Sequence, residues 1–451
     1  MKIFAPLFLL LALCSCVTTN GVAPPSASIM VKDTYQAGRA QLSLLFAVKG
    51  AVAEQARRFE LKDVELHAGD RWYSLLEDKT LSLDPARIHG GQRLLNRLSL
   101  PPGNYDRVRL SIGGAGIIER PLNPSLTLAA DDSSCLFITW DLRRAGSIVN
   151  GKDISIHPQH IPLTTELAYV SCPEINTIYI IRTDNNQICG AWGVSGSPGR
   201  MAVFKNLDEL IVLARKRREI RIIELSSGRL RDVIKIPMLM APAFMVVDKS
   251  GRYAFLLDRQ DDYVSKIDLR TGALVKRVRV AAQPDFLDIA ADDTLELSSA
   301  ISQKVVLLDA ATMNTLAVIA DSGGPQGLMI TGHYLYIAEK TANNVARYNL
   351  ESGGIERHAV GLGPERLTAY NNYVYVTNLY SGTLSMLIAD QNEVFRTIRV
   401  GPEPGEMAVS SSRDWLYITT SSGLSVLDLT THRLTAVIDL QAKPLDVVVI
   451  Q

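Results

Sequence analysis

A proline recurs at a nearly constant spacing through the C-terminal half of the chain. The seven prolines are Pro198, Pro242, Pro284, Pro325, Pro364, Pro404 and Pro444, and successive ones lie 39 to 44 residues apart. Apolar residues stand three and five positions after each proline, an alternation typical of a β-strand. A period of about 40 residues predicts an array of one repeated structural unit.

Each repeat continues with three further strand-like runs that are separated by turn residues. The clearest example contains the runs 372–380, 384–389 and 394–401. Four strands in each repeat predict a blade of a β-propeller. Helical repeats would need apolar residues three and four apart over about a dozen positions, and the sequence has no such window.

The two ends of the repeat region complement each other. The last repeat holds one strand, at 445–450, whereas three strands at 167–171, 177–182 and 187–192 precede Pro198 without an inner strand. Pairing the C-terminal inner strand with these three N-terminal strands would close the ring and leave no free edge. We therefore predict an all-β protein with a seven-bladed β-propeller over residues 163–451.

One tetrapeptide, Tyr375-Val376-Thr377-Asn378, has variants that begin at Tyr169, Tyr336 and Tyr417. On these residues, the region from about 166 to 451 resembles the YVTN-repeat β-propeller family. The resemblance implies the propeller fold and an envelope, surface or extracellular location, without a common reaction. The repeats that contain 214–216 and 298–300 depart from the family pattern.

The N-terminus begins Met1-Lys2, continues with an apolar run over 3–13 and reaches Leu13-Cys14-Ser15-Cys16. This pattern predicts a secretory signal peptide over 1–15. It is similar to the bacterial lipoprotein box, which implies a diacylated Cys16 at the start of the mature chain. An ordinary signal peptide and an uncleaved anchor are the alternatives.

Residues 16–28 contain two prolines and small polar residues, which predicts a flexible tether between the lipid and the folded protein. Val17 and Thr18 follow the cysteine in place of the aspartate that is associated with inner-membrane retention. We therefore expect an outer-membrane lipoprotein that faces the periplasm or the cell surface.

Residues 29–162 lack the 40-residue period and predict a separate β-sandwich of immunoglobulin-like size. The expected strands are 40–48, 59–68, 72–76, 93–100, 106–112, 125–129 and 134–142. The segment 100–112 is similar to a turn and strand in immunoglobulin-like domains of bacterial lipoproteins. The Cys-Trp-Cys pattern of antibody domains is absent from the sequence.

The composition argues against a general nucleic-acid binder, because 47 basic residues balance 47 acidic ones. Cys135, Cys172 and Cys189 follow the lipoprotein box and allow one disulfide at most. A bond between Cys172 and Cys189 is awkward, since a third strand is expected to separate them.

The residue two positions after each repeat proline is expected at the mouth of the propeller channel. These residues are Arg200, Phe244, Phe286, Gly327, Arg366, Glu406 and Asp446. They could form a mixed recognition ring. Alternatively, Arg200 would pair with Asp446 and Arg366 with Glu406 as solvated, weakly coupled rim charges, and the phenylalanines would pack between blades; we favour this second interpretation.

Four consecutive cations, Arg215, Lys216, Arg217 and Arg218, are expected in a loop on the same face. The next blade offers an acidic loop at 258–262. The two loops could neutralise each other, which is the simpler interpretation. The four cations nevertheless exceed what one neighbour must neutralise, so they are the best candidate contact for a protein or a polyanion.

Signatures of catalysis and of cofactors are weak. His157 and His160 stand three apart in a proline-flanked segment without further ligands, so we expect no metal there. No nucleophile elbow and no phosphate-binding loop is present, and we expect no cofactor.

The sequence therefore predicts a lipid-anchored envelope protein, not an enzyme, whose propeller holds a protein or glycan partner. A propeller enzyme of the lactonase type and a passive spacer in an envelope assembly are the alternatives.

Overall fold

The structure is a computed structural model of the chain. It describes residues 36–50, 59–76, 80–84, 88, 91–114, 116–142, 153–162, 164–389, 391 and 393–450. The predicted signal peptide, Cys16 and the tether lie outside these residues. Within them, no helix has the length and apolar character needed to cross a membrane.

The N-terminal part is a sandwich of two β-sheets. Its strands are β1 (Ala40–Lys49), β2 (Phe59–Ala68), β3 (Arg71–Ser74), β4 (Leu81–Leu83), β5 (Gln92–Leu100), β6 (Gly103–Ile112), β7 (Gly116–Leu128), β8 (Ser133–Asp141) and β9 (Ile154–Pro158). One sheet has the order β5-β1-β8-β9, and the other has the order β3-β2-β6-β7 with β4 beside β2. Alternate residues of both sheets, such as Leu42 and Leu44 or Val108 and Leu110, bury their side chains in a common core.

The structure differs from the sequence prediction at three strands of this sandwich. The predicted strand 125–129 is the end of the longer β7, and β4 and β9 were not predicted. Pro121 and Pro124 lie within β7, where a proline would interrupt a central strand. They are tolerated because β7 is an edge strand, whose outward N–H groups need no partner.

Residues 167–449 contain the propeller strands. They are β10 (Leu167–Cys172), β11 (Thr177–Arg182), β12 (Gln187–Gly193), β13 (Pro198–Phe204), β14 (Glu209–Ala214), β15 (Glu219–Glu224), β16 (Leu230–Lys235), β17 (Pro242–Val247), β18 (Tyr253–Asp258), β19 (Tyr263–Asp268), β20 (Ala273–Arg279), β21 (Phe286–Ile289), β22 (Thr294–Ser299), β23 (Lys304–Asp309), β24 (Thr315–Ala320), β25 (Pro325–Thr331), β26 (Tyr334–Glu339), β27 (Asn344–Asn349), β28 (Ile355–Ala359), β29 (Pro364–Tyr370), β30 (Tyr373–Asn378), β31 (Thr383–Ile388), β32 (Glu393–Arg399), β33 (Met407–Ser410), β34 (Trp415–Thr419), β35 (Gly423–Asp428), β36 (Arg433–Asp439) and β37 (Asp446–Val449).

These strands form seven antiparallel sheets of four strands, which we number as blades 1 to 7. Blades 1 to 6 take consecutive strands from β13 to β36. Blade 7 has the order β12-β11-β10-β37, so the C-terminal strand is its inner strand. The prediction of a seven-bladed β-propeller that is closed in this way and preceded by a sandwich is confirmed.

Ring closure rests on the antiparallel pairing of β37 with β10, in which Tyr169 lies opposite Val448 and Val170 opposite Val447. Inner strand β37 also packs against β13 and β33, the inner strands of the neighbouring blades. The ring is therefore continuous, and residues from blades 1 and 6 meet those of blade 7 at the axis.

The tyrosine of the YVTN-like segments links adjacent blades. The hydroxyl of Tyr336 in blade 4 donates to the carbonyl of Ala389 in blade 5 at 2.7 Å, and that of Tyr417 in blade 6 donates to Asn186 in blade 7 at 2.6 Å. Both side chains are buried. A buried aromatic ring with a satisfied hydroxyl thus supports the blade interface at each of these two positions.

The sandwich packs against blade 7. The side-chain amide of Gln92 donates to the carbonyl of Ile188 at 2.9 Å and accepts from the N–H of the same residue at 2.8 Å. Oε1 of Gln159 accepts from the N–H groups of Cys135 and Ala191, one on each side of the interface. Buried apolar side chains from both parts form one continuous cluster there, so the two parts share a core.

Candidate functional site

The inner strands bring the residues that follow the repeat prolines to one end of the channel, which we call the mouth. The turns that lead into the inner strands and the loops between the two middle strands lie together at this end. In blade 1, for example, the N–H of Arg215 donates to the carbonyl of Ser197 at 3.2 Å, and that of Lys216 donates to Gly196 at 2.9 Å.

Two arginines share one carboxylate at the mouth. Oε1 of Glu406 accepts from Nη2 of Arg200 at 2.5 Å and from Nε of Arg366. Nη1 of Arg200 also lies 3.5 Å from Oδ1 of Asp446, whose Oδ2 accepts from the N–H of Met201 at 2.8 Å. These residues come from four different blades, and they form one network that we call the mouth cluster.

Both ion pairs expected from the sequence are present, but the interpretation of them as solvated rim charges is wrong. Arg200 and Asp446 are only 8% and 6% exposed, and Glu406 joins both arginines. Ring closure removes these groups from bulk water, so their charges interact through a less polarisable medium.

The two phenylalanines pack between blades and also contact the arginines. The rings of Phe244 and Phe286 meet edge to face with centroids 5.4 Å apart. The guanidinium of Arg200 lies 4.1 Å from the centroid of Phe244, and that of Arg366 lies 5.3 Å from both rings. The two rings thus add cation–π contacts to the ion pairs of the arginines.

Burial and charge separate the pKa values of the carboxyl groups. Burial would raise the pKa of Glu406, but the positive charges of Arg200 and Arg366 hold it at about 2. Burial raises the pKa of Asp446 to about 6 despite the charge of Arg200, and the negative charge of Glu406 adds to the rise. The mouth cluster therefore contains one carboxyl group with a lowered pKa and one with a raised pKa.

Asp288 is a further acid of the channel that the sequence analysis missed. Its side chain is open to the channel but surrounded by protein atoms, and this burial raises its pKa to about 6. Asp288 stands four residues after its repeat proline, where the other repeats have Ala202, Val246, Met329, Thr368, Ala408 and Val448. A comparison of the residues four positions after each repeat proline would have identified Asp288.

Glu296 lies directly opposite Asp288 in the pairing of β21 with β22. It occupies the place of the YVTN tyrosine in blade 3, which is one of the two blades that depart from the pattern. Oε1 accepts from the N–H of Ile330 in blade 4 at 2.8 Å, whereas the buried Oε2 has no hydrogen-bond partner among the described residues. Burial raises the pKa of Glu296 well above its ordinary value, and the negative charge of Asp288 adds to the rise.

Gly327 contributes no side chain to the mouth because the neighbouring strand lies too close. A Cβ atom at this position would be 2.4 Å from the carbonyl oxygen of Glu365. The glycine therefore allows β25 and β29 to approach each other, and blade 4 leaves a gap in the ring of mouth side chains.

The four cations of blade 1, Arg215, Lys216, Arg217 and Arg218, form what we call the basic loop, between β14 and β15 at the mouth. Lys216, Arg217 and Arg218 are exposed, and Arg215 is half-buried. Burial lowers the pKa of Arg215, and the like charge of Arg200 adds to this effect. The basic loop therefore adjoins the mouth cluster.

The expectation that the basic loop and the acidic loop neutralise each other is wrong. Asp261 pairs with Arg277 at 3.1 Å, and Asp262 pairs with Arg279 at 3.5 Å, both within blade 2. Asp258 instead accepts from backbone N–H groups, among them that of Met240 at 2.5 Å. In the part of the chain that the structure describes, the side chains of the basic loop form no ion pair.

His157 and the three cysteines lie in strands. His157 lies in the edge strand β9 and not in a linker as predicted, and the described residues contain no group of three or more potential ligands suited to a metal ion. Cys135, Cys172 and Cys189 are free buried thiols, and β11 separates the strands of Cys172 and Cys189.

No protein-family model matches the chain, and no curated protein matches it in sequence. The fold is similar to solved structures. One is a protein of unknown function from Desulfotomaculum acetoxidans (TM-score 0.55, 11% identity), which covers 64% of this chain and 99% of its own. Another, from Lactobacillus plantarum, has a TM-score of 0.53, 15% identity and coverages of 64% and 99%.

A third similar structure is a Bacteroides fragilis protein provisionally described as a 6-phosphogluconolactonase. It has a TM-score of 0.54 and 11% identity and covers 65% of this chain and 100% of its own. At identities this low, all three similarities support the β-propeller fold alone.

We predict that Glu406→Gln destabilises the protein by about 3 kcal/mol or more, because it leaves two nearly buried arginines without their shared carboxylate. The matched control is Glu403→Gln, which removes a half-exposed carboxylate 2.5 Å from Lys443. Its expected cost is below about 1 kcal/mol. Urea unfolding of both variants measures the difference, and equal midpoints would show that the mouth cluster is not coupled.

The raised pKa values predict a pH dependence of stability. The folded protein keeps protons on Asp446 and Asp288 up to about pH 6, whereas an unfolded chain releases them near pH 4. The free energy of unfolding therefore contains a component that decreases as the pH rises through this window. The lowered pKa of Glu406 has the opposite effect. The free energy of unfolding decreases as the pH falls below about 4.5, because the unfolded chain then binds a proton at this residue more readily than the folded protein does.

Asp446→Asn should flatten the decrease between about pH 4 and about pH 6, because asparagine does not titrate. Urea unfolding across this range measures it, with Asp439→Asn at an exposed position as the control. If the free energy of unfolding changed with pH in the same way in the wild type and in Asp446→Asn, the assignment of a raised pKa to Asp446 would be contradicted.

Proposed function

We propose that the protein is a binding scaffold whose mouth face docks an acidic segment of a protein partner. The observation that carries this proposal is the basic loop, four adjacent cations without an ion pair among the described residues. An uncompensated positive patch on a rigid frame attracts negatively charged partners and speeds their association.

Two side chains of the basic loop lie against glycines. The stem of Arg215 crosses Gly199, where a Cβ atom would lie 2.7 Å from Cδ of the arginine. The stem of Arg217 crosses Gly196 in the same way, with a Cβ atom 2.7 Å from its Cγ. Because the two glycines leave room for these stems, less side-chain entropy is lost when a partner binds.

Apolar side chains on the same face favour a protein over a polysaccharide as the partner. Met240, Ile301, Leu362 and Tyr380 all lie in mouth-face loops and are 45% to 69% exposed. Methionine, aromatic residues and arginine are enriched in the centres of protein interfaces. The expected partner segment therefore combines acidic residues with apolar ones.

We propose binding rather than catalysis because the arginines and carboxylates of the mouth cluster pair with one another. The observation that favours a lactonase-type enzyme is Asp288, a channel carboxyl group with a pKa of about 6. A histidine partner is missing there among the described residues. His333 pairs with Glu351 at 2.9 Å in an exposed turn, His358 lies in the outer strand β28, and His432 contacts Tyr373.

We further propose that Cys16 carries the lipid and that the protein resides in the outer membrane, facing the periplasm or the cell surface. The support is the segment Leu13-Cys14-Ser15-Cys16 after a short apolar run. A membrane-anchored scaffold would hold its partner at the envelope.

We predict that the protein binds a short glutamate-rich peptide that also carries leucine residues, and that Arg217→Glu combined with Arg218→Glu weakens this binding about tenfold or more. Raising the salt from about 50 mM to about 300 mM should weaken the wild-type complex as well, because the contacting charges are exposed. Fluorescence anisotropy of the labelled peptide measures both effects.

The matched control is Arg396→Glu combined with Arg433→Glu, an equal charge change at exposed positions of the outer strands β32 and β36. An equal loss in this control would contradict the assignment of the site. Binding of a sulfated oligosaccharide in preference to the peptide would favour a glycan partner instead, and binding of neither would favour the passive spacer.

A further inference from the structure

A cleft of about 720 Å³ lies between the sandwich and blade 7. One wall is the sheet β5-β1-β8-β9, and the other is formed by β12 and the turn before it. The volume is within the usual range of small-molecule sites, which often lie between domains. The cleft is remote from the mouth and plays no part in the proposed docking of a protein.

On the wall formed by the sheet β5-β1-β8-β9, paired residues of neighbouring strands place their side chains in rows. Phe137 pairs with His157, and Thr139 pairs with Ser155 and, on its other side, with Ala47. The rings of Phe137 and His157 stack with centroids 5.3 Å apart at an interplanar angle of 21°. Phe137 is buried and His157 is exposed, so the imidazole presents a supported flat face to the cleft.

Residues of both charges line the cleft. Lys49 lies opposite Asp141 in the parallel pairing of β1 with β8. Arg182 makes a two-point contact with Asp184, at 3.0 Å from Nε and 2.5 Å from Nη2. A charged ligand would have to compete with the pair of Arg182 and Asp184, whereas an uncharged one would leave it intact.

Asp153 places a buried acceptor beside the cleft. Oδ2 of Asp153 accepts from the indole N–H of Trp140 at 2.8 Å, and its buried Oδ1 has no partner among the described residues. A buried carboxylate oxygen without a donor costs free energy, which a ligand hydroxyl group would recover.

The two walls are fixed relative to each other. The paired hydrogen bonds between Gln92 and Ile188 lie at the edge of the cleft, and the shared apolar cluster continues behind it. The cleft is therefore formed before a ligand arrives, and binding does not have to order it.

We infer that this cleft binds a neutral saccharide. The apolar face of a sugar ring would stack on His157, and its hydroxyl groups would meet Thr139, Ser155 and Oδ1 of Asp153. The small side chain of Ala47 beside Thr139 leaves room for a ring to lie along the row of hydroxyl groups.

The experiment is ligand-observed NMR with the uncharged probes maltotriose and chitotriose. We expect at least one of the two trisaccharides to bind the wild-type protein with a dissociation constant of about 1 mM. His157→Ala should weaken binding about tenfold, and His157→Phe, which keeps a flat ring, should restore most of it. Ser155→Ala should weaken it about threefold through the lost hydrogen bond.

His333→Ala is the matched control, since His333 is exposed in a distant turn of blade 4. The charge-reversed variant of the basic loop should bind the sugar like the wild type, which separates this inference from the proposed docking function. Absence of binding of both probes, equal binding by His157→Ala, or a clear preference for a sialylated over a neutral trisaccharide would overturn it.

Discussion

The pairing of the C-terminal strand β37 with β10 is the contact on which the rest of the structure depends. It places Asp446 beside Arg200, although 246 residues separate them in the chain. It also makes blades 1 and 6 the neighbours of blade 7, so that Arg200 reaches Glu406. Without this strand the mouth cluster would lose one of its carboxylates and the ring would have two open edges.

The apolar positions that recur in every repeat form the strands of the propeller. The charged groups of the channel and of the basic loop stand at positions where one repeat differs from the others. Six blades have an apolar or aromatic residue at the place where blade 3 has Glu296, and the other repeats have uncharged residues where blade 3 has Asp288. Gly327 replaces a mouth side chain with a close contact between strands. The basic loop is likewise peculiar to blade 1. A frame of near-identical blades thus carries an asymmetric set of charges around one axis.

The sequence was sufficient for the frame because the proline period and the strand alternation are local patterns that repeat seven times. It also indicated the pairs of Arg200 with Asp446 and of Arg366 with Glu406, since each residue stands at a fixed distance from its proline. It could not show that Glu406 is shared by two arginines or that Asp261 and Asp262 are neutralised within their own blade. Those pairings depend on side-chain reach across strands and are not encoded in spacing.

The contact between the sandwich and blade 7 was also invisible in the sequence. Gln92 and Gln159 carry no periodic signal, yet their amides join the two parts. The predicted strand 125–129 covers only the end of β7. Pro121 and Pro124 precede it, and only the position of β7 at a sheet edge removes their cost.

The most direct test of the docking scaffold is photocrosslinking in living cells of the native host. A photoreactive residue is placed at position 217 in the basic loop or at position 396 on the outer rim. We expect a discrete protein adduct from position 217 that carries an acidic segment and disappears when Arg215 and Arg218 are changed to glutamate. An adduct that persists after this change, or that forms equally from position 396, would contradict the account.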